Sequence, residues 1–508
     1  MGWMSWNHFR CGTNASSLDS ISEALVAATA AGLVAGGFSA AGYRILSIDD
    51  CWQDGELDPL TGAVRADPAR FPSGLTGLGR LIHSYNLSFG LYGDVGPRTC
   101  GGFPGNGGHF GADARAMVGA GVDYFKADGC NAEAGDLPEL YLSLAVEIAD
   151  AAATAASTAA STAFSTAFST AFSTAFSTAF STASSTASST ASSTAASQRA
   201  RARRPHFITL SCSWPAYLPD ARAVWASRHT PHPLPPIPYP ALRGACHLWR
   251  NWNDVDTSPS SVSAIARYWA FAARFSPRFA ATPRPGAWHD PDELLVGERA
   301  IPYPWQALQL ALWCAWGAPL FLSADVRGGA AGWAPESHAL ALHAELIAVN
   351  QRGAGAGRLV ACLGEKEEKD GEKEKECALQ AWARPLEGGA VAVVAANLGG
   401  TPHHRRVCVP VVEILRTAGR VWGAEDEEEG GGDAPTLCWR PVSLTPRPTP
   451  LSTFRSWADQ NGFPHASSTG DSLCLQVPGA GDAAVVVGRP CDRERRRERG
   501  SGVILASA

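Results

Sequence analysis

The sequence of 508 residues lacks several features that would assign a protein to a class at once. It has no run of about 18 apolar residues, so we predict no membrane span. Its net charge is −6 and its basic residues form no sustained face, which speaks against nucleic acid as a partner. HExxH, CxxC and GxSxG motifs are absent, so nothing indicates a zinc site, a dithiol centre or a nucleophile elbow. We therefore predict neither a metal nor a cofactor.

A signal peptide is also missing, because MGWMSWNHFRCGTN is polar and aromatic where an apolar segment would lie. Thirteen cysteines are nevertheless many for a cytosolic enzyme, and their odd number leaves at least one thiol outside any intramolecular disulfide. Asn-x-Ser sequons at Asn14 and Asn86 fit a secreted glycoprotein, although such sequons also arise by chance. The cysteines indicate export and the N-terminus does not. A truncated or misassigned start of the chain would reconcile them.

From Tyr43 to about Asn350, short β-branched or aromatic runs alternate with amphipathic stretches. The predicted strands are Tyr43–Asp50, Ser88–Gly96, Tyr124–Cys130, His206–Cys212, Leu248–Asp254 and Pro319–Asp325. The predicted helices include Ser20–Ala35, Phe110–Ala120, Leu137–Ala151, Ser260–Phe275, Tyr303–Gly317 and Glu336–Val349. This alternation predicts an α/β fold with a parallel sheet, and acids at several strand ends favour a (β/α)₈ TIM barrel. A doubly wound sheet is the alternative, but no glycine-rich fingerprint follows the first strand.

Low-complexity and charged segments divide the chain into predicted domains. A catalytic barrel over 1–350 contains an insertion of Ser-Thr-Ala repeats at about 152–204 and a proline-rich loop at about 230–240. Beyond it, alternating runs such as Ala390–Asn397 and Ala483–Val487 predict an antiparallel β-sandwich over 351–490, with charged loop insertions. Residues 491–508 are a charged tail.

Two acids at the ends of different predicted strands, Asp128 and Asp254, are the candidate catalytic pair. Glycoside hydrolysis with retention uses two carboxyl groups about 5–5.5 Å apart, and a barrel would bring both to one rim. Lys126 lies two residues before Asp128, on the same side of its strand, where it can keep Asp128 ionised and bind a sugar hydroxyl. A surface Lys–Asp pair is the alternative. In the catalytic interpretation, Lys126 holds Asp128 ionised as a nucleophile, and Asp254 is the second carboxyl group.

The adjacent acids Asp49 and Asp50 end an earlier predicted strand. Because neighbouring acids repel each other, keeping two together suggests polyol binding, with hydroxyls donating to both. A hard cation is the alternative, but no oxygen-rich calcium loop surrounds them. Exposed tryptophans such as Trp6, Trp52 and Trp288 would stack on sugar faces, although a tryptophan is more often a core residue.

Seven motifs, taken in order, closely resemble family 27 of the glycoside hydrolases, the α-galactosidases and α-N-acetylgalactosaminidases. They are MGWMSW at 1–6, IDDCW at 48–52, ADPARFPSG at 66–74, LYGDVGPRTCGGFPG at 91–105, KADGC at 126–130, WRNWND at 249–254 and APLFLSADVR at 318–327. The similarity runs from Met1 to about Gln351, apart from the insertions, and weakens beyond. It implies a (β/α)₈ barrel with a C-terminal β-sandwich, double-displacement hydrolysis of a terminal α-linked sugar, and a secreted, lysosomal or vacuolar location. A homodimer is compatible with it.

The resemblance also implies roles for individual residues. Asp128 matches the nucleophile and Asp254 the acid/base. The positions that match sugar-binding residues are Asp49, Asp50, Tyr92, Lys126 and Arg250, with Trp6 on an aromatic wall. The family's disulfides would join Cys11–Cys51, Cys100–Cys130 and Cys212–Cys246, and the first two would stiffen the rim that carries the acids.

Specificity is predicted from the segment SCSWPAY at 211–217, whose pocket positions are Ser213, Ala216 and Tyr217. The family's α-galactosidases usually have Glu at the position of Ser213, and the animal enzymes have a bulky residue near Ala216. Shorter side chains open space at the sugar's 2-position, where an N-acetyl group would fit, and SCSWPAY is similar to the α-N-acetylgalactosaminidase version. We therefore predict N-acetylgalactosamine as the sugar, with galactose as the alternative.

Three departures from the family pattern are visible. The chain begins where the family's first strand begins. His289 and Glu293 occupy places where the family commonly has Asn and Met. The Ser-Thr-Ala repeat insertion is foreign to the family. Two other interpretations remain: a sugar-binding pseudoenzyme, although both carboxylates are present, and a glycosyl transferase with the same residues.

Overall fold

The computed structural model describes residues 1–14, 17–158, 207–217, 237–363, 377–399, 405–418, 437–444, 467–469, 472–477 and 481–490. In chain order, the strands of the first part are β1 (Gly2–Met4), β2 (Ile45–Ile48), β3 (Gln53–Leu57), β4 (Val64–Ala66), β5 (Ser88–Asp94), β6 (Val122–Asp128), β7 (Thr209–Cys212), β8 (Leu248–Arg250), β9 (Trp288–Asp290) and β10 (Phe321–Leu322). Eight of them form one parallel sheet, in the order β10-β1-β2-β5-β6-β7-β8-β9, and β3 and β4 form a separate hairpin. A parallel bridge between Leu294 and Leu322 joins the two edges of the large sheet. This closed parallel sheet confirms the predicted TIM barrel.

Helices alternate with these strands. They span Trp6–Phe9, Glu23–Ala35, Phe38–Ala41, Gly74–Ser84, Phe110–Ala120, Leu137–Thr158, Tyr239–Ala245, Pro259–Phe275, Pro277–Ala281, Tyr303–Trp316, Pro335–Ala341 and Ala344–Gln351. Local sequence fixes several ends: the Ser22 and Ser258 side chains cap two helices, and Gly121 and Gly317 end two others in the left-handed conformation.

Some predicted boundaries were wrong. The predicted helix Glu336–Val349 is two helices, because the His343 side chain accepts the Leu346 N–H and begins a second helix. The predicted strand Leu248–Asp254 ends at Arg250. Beyond it, Trp252 stacks on Tyr268 of the helix Pro259–Phe275, with ring centroids 4.3 Å apart. The strands β1 and β9 were not predicted, because their three residues are too few to show an alternating pattern.

The helix Leu137–Thr158 is long and apolar enough to cross a membrane by length and composition alone. It follows β6 as a barrel helix, and Leu137, Tyr141 and Leu144 are fully buried in the barrel core. Of the predicted insertions, residues 159–206, 218–236 and 364–376, and the tail 491–508, lie outside the described residues.

The C-terminal strands are β11 (Arg358–Leu363), β12 (Leu379–Pro385), β13 (Val391–Asn397), β14 (Arg405–Pro410), β15 (Leu437–Val442), β16 (Ser467–Thr469), β17 (Ser472–Val477) and β18 (Ala483–Pro490). They form a five-stranded sheet, β11-β12-β13-β18-β15, and a three-stranded sheet, β14-β17-β16, with antiparallel pairing throughout. Side chains of both sheets, such as Val393, Val407 and Leu475, share one core. The predicted antiparallel β-sandwich is therefore confirmed.

The strands β12 and β13 of the five-stranded sheet are buried on both faces. One face packs inside the sandwich, and the other packs on the barrel helix Tyr303–Trp316, where the Trp316 and Trp382 rings lie 5.5 Å apart. Every residue of that helix from Gln306 to Trp316 is buried, because it lies between two cores. Arg384 of β12 is buried at this junction and donates hydrogen bonds to the carbonyl oxygens of Cys314 (2.7 Å) and Asn350 (2.8 Å).

Candidate active site

Polar residues gather at the carboxyl ends of the barrel strands. Asp128 ends β6 in register with Asp94 of β5, and Arg250 ends β8 in register with Asp290 of β9. Asp49 directly follows β2. Because parallel strands end at one rim of the barrel, these side chains face a common pocket, as predicted from their positions at strand ends.

Three parts of the structure contact the Asp128 carboxylate: its own strand, the loop after β7 and a disulfide. The Ser213 hydroxyl, just after β7, donates a hydrogen bond to Asp128 Oδ1. On the other oxygen, Oδ2, the Lys126 Nζ lies at 3.9 Å and the Cys100 Sγ at 3.6 Å. The carboxylate is thus oriented from both sides and still reaches the pocket, with 14% of its side chain exposed.

Lys126 connects the nucleophile candidate to the Asp pair. Its Nζ lies 2.8 Å from Asp49 Oδ2 and 5.2 Å from the centre of the Tyr92 ring. Burial disfavours the charged amine, but Asp128 and Asp49 outweigh burial and raise the pKa of Lys126 well above its usual range. The site therefore holds a permanent cation between two carboxyl groups.

The Asp49–Asp50 pair is buried, and burial raises the pKa of Asp49 to about 6. Burial also raises the pKa of Asp50, whose Oδ2 accepts the Gly101 N–H at 2.7 Å. A Cβ atom at Gly101 would lie 2.8 Å from the Cys51 Sγ, so this close approach requires glycine. The disulfide Cys11–Cys51 ties the pair to the loop after β1.

Asp254 was predicted to end a strand, but it lies in a loop, four residues beyond β8. Its side chain is 74% exposed, and Arg250 Nη2 lies 3.1 Å from its Oδ1. The Arg250 guanidinium lowers the pKa of Asp254 below its usual value. Arg250 also pairs with Asp292 at 2.8 Å, and Asp292 accepts the Val255 N–H at 2.7 Å, which ties this loop to the turn after β9.

Asp128 and Asp254 share one electrostatic environment. The charge of Arg250 acts on Asp254 and is itself affected by Asp128, while Lys126 also acts on Asp254. The two candidate catalytic carboxyl groups, which are 126 residues apart in the sequence, therefore both interact electrostatically with Arg250 and Lys126.

The aromatic predictions have a mixed outcome. Trp6 begins the helix after β1 and is half-buried, and the Arg10 guanidinium lies 5.7 Å from its ring centre. Trp52 was wrongly expected to be exposed: it is buried, and its indole N–H donates to the Tyr92 carbonyl oxygen at 2.9 Å. Trp288 packs into a small cluster inside the barrel rather than offering a sugar platform.

The segment after β7 forms a short 3₁₀ helix, Trp214–Tyr217. Ala216 and Tyr217 are half-buried, and the Tyr217 hydroxyl lies 3.2 Å from the Cys130 Sγ. Cys100 and Cys130 form a disulfide, as do Cys212 and Cys246, so all three pairings implied by the resemblance are present. Two further disulfides in the sandwich, Cys362–Cys377 and Cys408–Cys474, were not anticipated, and Cys314 is a buried free thiol.

Two acids of the site, Asp94 and Asp292, were not among the predicted site residues, although Asp94 lies within the motif at 91–105. Asp94 is fully buried and accepts the backbone N–H groups of Gly96 (2.7 Å) and Cys130 (2.9 Å), and burial raises its pKa to about 7. Asp292 contacts Arg250, as described above. Asp94 lies near the end of the predicted strand Ser88–Gly96, whereas Asp292 follows a strand that was not predicted, so only Asp94 had a signal in the pattern.

His289 is a buried core residue with a structural role. Its Nδ1 accepts the Trp249 indole N–H at 2.8 Å, and its Nε2 donates to the Phe279 carbonyl oxygen at 2.9 Å. Burial lowers its pKa to about 4, so the ring is a neutral core group. This departure from the family pattern affects packing beneath the pocket.

Within the described residues, one group has the spacing of metal ligands: Asp94, Cys100 and Cys130, whose ligand atoms lie within 4.8 Å of one another. The two cysteines are joined in a disulfide and offer no thiolate. We assign no metal to this group.

A closed barrel whose strand ends present paired carboxyl groups, a lysine, an arginine and aromatic side chains has the form of a glycoside hydrolase. The comparisons agree. The family model described as Alpha galactosidase A matches residues 1–159 and 180–352, so the chain belongs to this family, family 27 of the glycoside hydrolases. The chain is 31% identical to human Alpha-galactosidase A over 78% of its own length and 73% of the relative's. It is 29% identical to chicken Alpha-N-acetylgalactosaminidase, over 78% and 77% of the two chains. The solved alpha-galactosidase of Saccharomyces cerevisiae has the same fold, with a TM-score of 0.64, 21% identity and 97% of each chain covered.

Proposed function

We propose that the protein is a retaining exo-glycosidase that prefers a terminal α-linked N-acetylgalactosamine, with Asp128 as nucleophile and Asp254 as general acid/base. The observation that carries the proposal is the setting of Asp128, which Ser213, Lys126 and the Cys100–Cys130 disulfide orient toward the pocket. Oligosaccharides, glycolipids and glycoproteins carry such sugars.

In the first step, Asp128 attacks the anomeric carbon and the glycosidic oxygen leaves with a proton from Asp254. Lys126 keeps Asp128 ionised, because the nearby ammonium stabilises the carboxylate. Asp49, Asp50, Lys126 and Arg250 bind sugar hydroxyls, with Trp6 and Tyr92 as the apolar walls. The rigid polar groups hold the reacting carbon in line with Asp128.

In the second step, Asp254 takes a proton from a water molecule whose oxygen bonds to the anomeric carbon, and the bond between that carbon and Asp128 breaks and releases the sugar. Arg250 favours the ionised form of Asp254 in the open site. A bound substrate displaces water from Asp254 and so favours the protonated acid that the first step needs.

The preference for the N-acetyl group rests on Ser213 and Ala216. Ser213 carries no carboxylate that would accept the 2-hydroxyl, and Ala216 is too short to fill the space beside it. Galactose is the alternative sugar, and the curated relatives include enzymes named for each. A pseudoenzyme is disfavoured because both carboxyl groups are present, Asp128 3.9 Å from Lys126 and Asp254 3.1 Å from Arg250.

We further propose that the enzyme is secreted or works in a lysosome or vacuole. Five disulfides within the described residues support an oxidising compartment. The sequon residues Asn14 and Asn86 are both exposed, as glycosylation requires.

The test compares hydrolysis of nitrophenyl α-N-acetylgalactosaminide and α-galactoside by the wild type and by Ala216→Leu. We expect the wild type to prefer the N-acetyl substrate. Leu fills the proposed N-acetyl space, so kcat/KM for that substrate should fall by roughly 10–200-fold, while the galactoside, measured in the same variant, serves as the control. A wild type that prefers galactoside would refute the specificity. Hydrolysis of neither substrate by a folded protein would refute the enzymatic role.

A further inference from the structure

Glu293 is a buried acid of the site that the proposed chemistry does not use. It lies three residues after β9, at a place where family 27 commonly has Met, and only 3% of its surface is exposed. Its backbone is fixed, because its N–H donates to Asp292 Oδ1 (2.9 Å) and its carbonyl accepts from Gln309 Nε2 (3.0 Å). The next residue, Leu294, makes the bridge that closes the barrel. Because the backbone at Glu293 is held in this way, a small backbone movement cannot displace the side chain.

The Glu293 carboxyl group joins two parts of the pocket. Its Oε2 accepts the Asn7 N–H at 3.1 Å, and Asn7 follows Trp6 in the helix after β1. Its Oε1 is buried and has no hydrogen-bond partner among the described residues. The same residue thus anchors the aromatic wall through Asn7 and continues the turn that holds Asp292 against Arg250.

Two nearby carboxyl groups, those of Asp292 and Asp49, oppose the ionisation of Glu293, and the Lys126 ammonium favours it. The groups that act on it are Asp292 in its own turn, Asp49 after β2 and Lys126 on β6; the helix after β1 offers the neutral Asn7 N–H. Lys126 is already paired with Asp49 at 2.8 Å and lies 3.9 Å from Asp128, so its charge is shared by two other carboxyl groups. Burial, together with Asp292 and Asp49, raises the pKa of Glu293 well above its usual value.

We propose that Glu293 is a positioning residue of the sugar pocket that works as a neutral carboxylic acid, holding the Trp6–Asn7 segment against the turn of Asp292. When it ionises, the buried charge can be relieved only by water entering between that segment and the turn, which loosens the aromatic wall. The inference rests on the proposed function, because it assumes that Trp6 and the Arg250–Asp292 pair border the bound sugar.

The sign of the pH effect follows from the raised pKa. The protonated form is favoured in the folded protein, so its contribution is complete at acidic pH and is lost as the pH rises through the folded pKa. Asp49, Asp94 and Asp290 have pKa values raised to about 6, 7 and 6 and titrate in a similar direction. The difference between the wild type and a Glu293 variant removes their contribution, since all three remain in both proteins.

The experiment measures KM, kcat and thermal unfolding between pH 4 and pH 8 for the wild type, Glu293→Gln and Glu293→Met. Gln keeps the acceptor for Asn7 and cannot ionise, so its kcat at acidic pH should stay close to that of the wild type. The rise in KM from acidic to neutral pH should be about tenfold smaller in this variant. Met also cannot ionise but leaves the Asn7 N–H without its acceptor, so its KM should be raised at every pH. Glu345→Gln, which changes an exposed acid paired with Arg440, should keep the wild-type pH dependence.

An unchanged KM–pH curve in a folded Glu293→Gln protein would overturn the proposal. So would loss of activity at all pH values, because that result would require the ionised carboxylate. If the wild type hydrolyses neither glycoside, the proposed function fails, but the unfolding curves still test Glu293. The Gln variant should then lose less stability than the wild type between acidic and neutral pH, and equal losses would overturn the proposal.

Discussion

The two sides of the pocket are held in place by different interactions. The side with the proposed nucleophile consists of the ends of β2, β5 and β6, where Lys126 lies 2.8 Å from Asp49 and 3.9 Å from Asp128 and two disulfides brace the loops. The side with the proposed acid/base consists of the loops after β8 and β9, which contain no cysteine, and Asp254 there is 74% exposed. Its order comes from the contacts of Arg250 with Asp254 and Asp292.

This difference matches the two tasks of a double displacement. A nucleophile has to be aligned before the sugar arrives, since misplacement by about 1 Å can cost on the order of 100-fold in rate. A general acid/base has to exchange protons with the leaving group and with water in turn. A rigid side and an accessible side in one pocket satisfy both demands.

The largest expected effect is on kcat, and it differs between variants of the two carboxyl groups. Asp128→Asn removes the proposed attacking group, so kcat for any substrate should fall by about 10⁴-fold or more. Asp254→Asn should be milder on nitrophenyl glycosides, because this leaving group departs with little help, and a glycosyl-enzyme intermediate should accumulate. Rapid-quench kinetics would detect the burst. Equal losses in the two variants, without a burst, would contradict the assignment of roles.

The next effect concerns the disulfide braces. Replacing both Cys100 and Cys130 by Ala should lower the free energy of unfolding by about 2–4 kcal/mol. It should also lower kcat, because the Cys100 sulfur lies 3.6 Å from Asp128. The matched control replaces Cys408 and Cys474 in the sandwich, which should reduce stability by a similar amount and leave kcat unchanged. Denaturant titration and steady-state kinetics measure both quantities, and a kcat loss in both double variants would contradict the local role of the brace.

The smallest effect is a pH dependence on the rigid side. Burial raises the pKa of Asp94 from 3.8 to about 7, so its neutral form stabilises the folded protein below about pH 4 and that contribution is lost toward pH 7. Asp94→Asn imitates the neutral acid and should flatten the fall in stability over this range by on the order of 1–3 kcal/mol. Thermal unfolding at several pH values measures it. The exposed Asp136→Asn is the control, and identical pH profiles for the wild type and Asp94→Asn would show that Asp94 does not carry the effect.

Much of the site was predictable because barrel geometry turns strand ends into neighbours. Asp128 and Lys126 could be placed together from two-residue spacing on a strand, and Asp49 could be placed at the same rim. Asp254 was assigned to the wrong element, because the run LWRNWND looks like a strand and only the stacking of Trp252 on Tyr268 shows where it ends.

Other features depend on contacts between residues far apart in the chain. Trp52 is apolar in the sequence whether it binds sugar or fills the core, and its burial beside Tyr92 decides the matter. Glu293 could be noticed as a departure from the family pattern, but its acceptor role toward Asn7 joins residues 286 positions apart. No local pattern encodes such a contact.

The helix Tyr303–Trp316 has a consequence for the order in which the protein can be made. Its outer face is covered by a sheet whose strands come from residues 358–397 and again from 437–490. On a ribosome, the barrel sequence therefore emerges with Trp316 and its neighbours uncovered, and they stay so until β12 and β13 have been synthesised. A premature stop after the barrel would leave that tryptophan-rich surface open to aggregation, so the barrel depends on the strands that follow it to cover this helix.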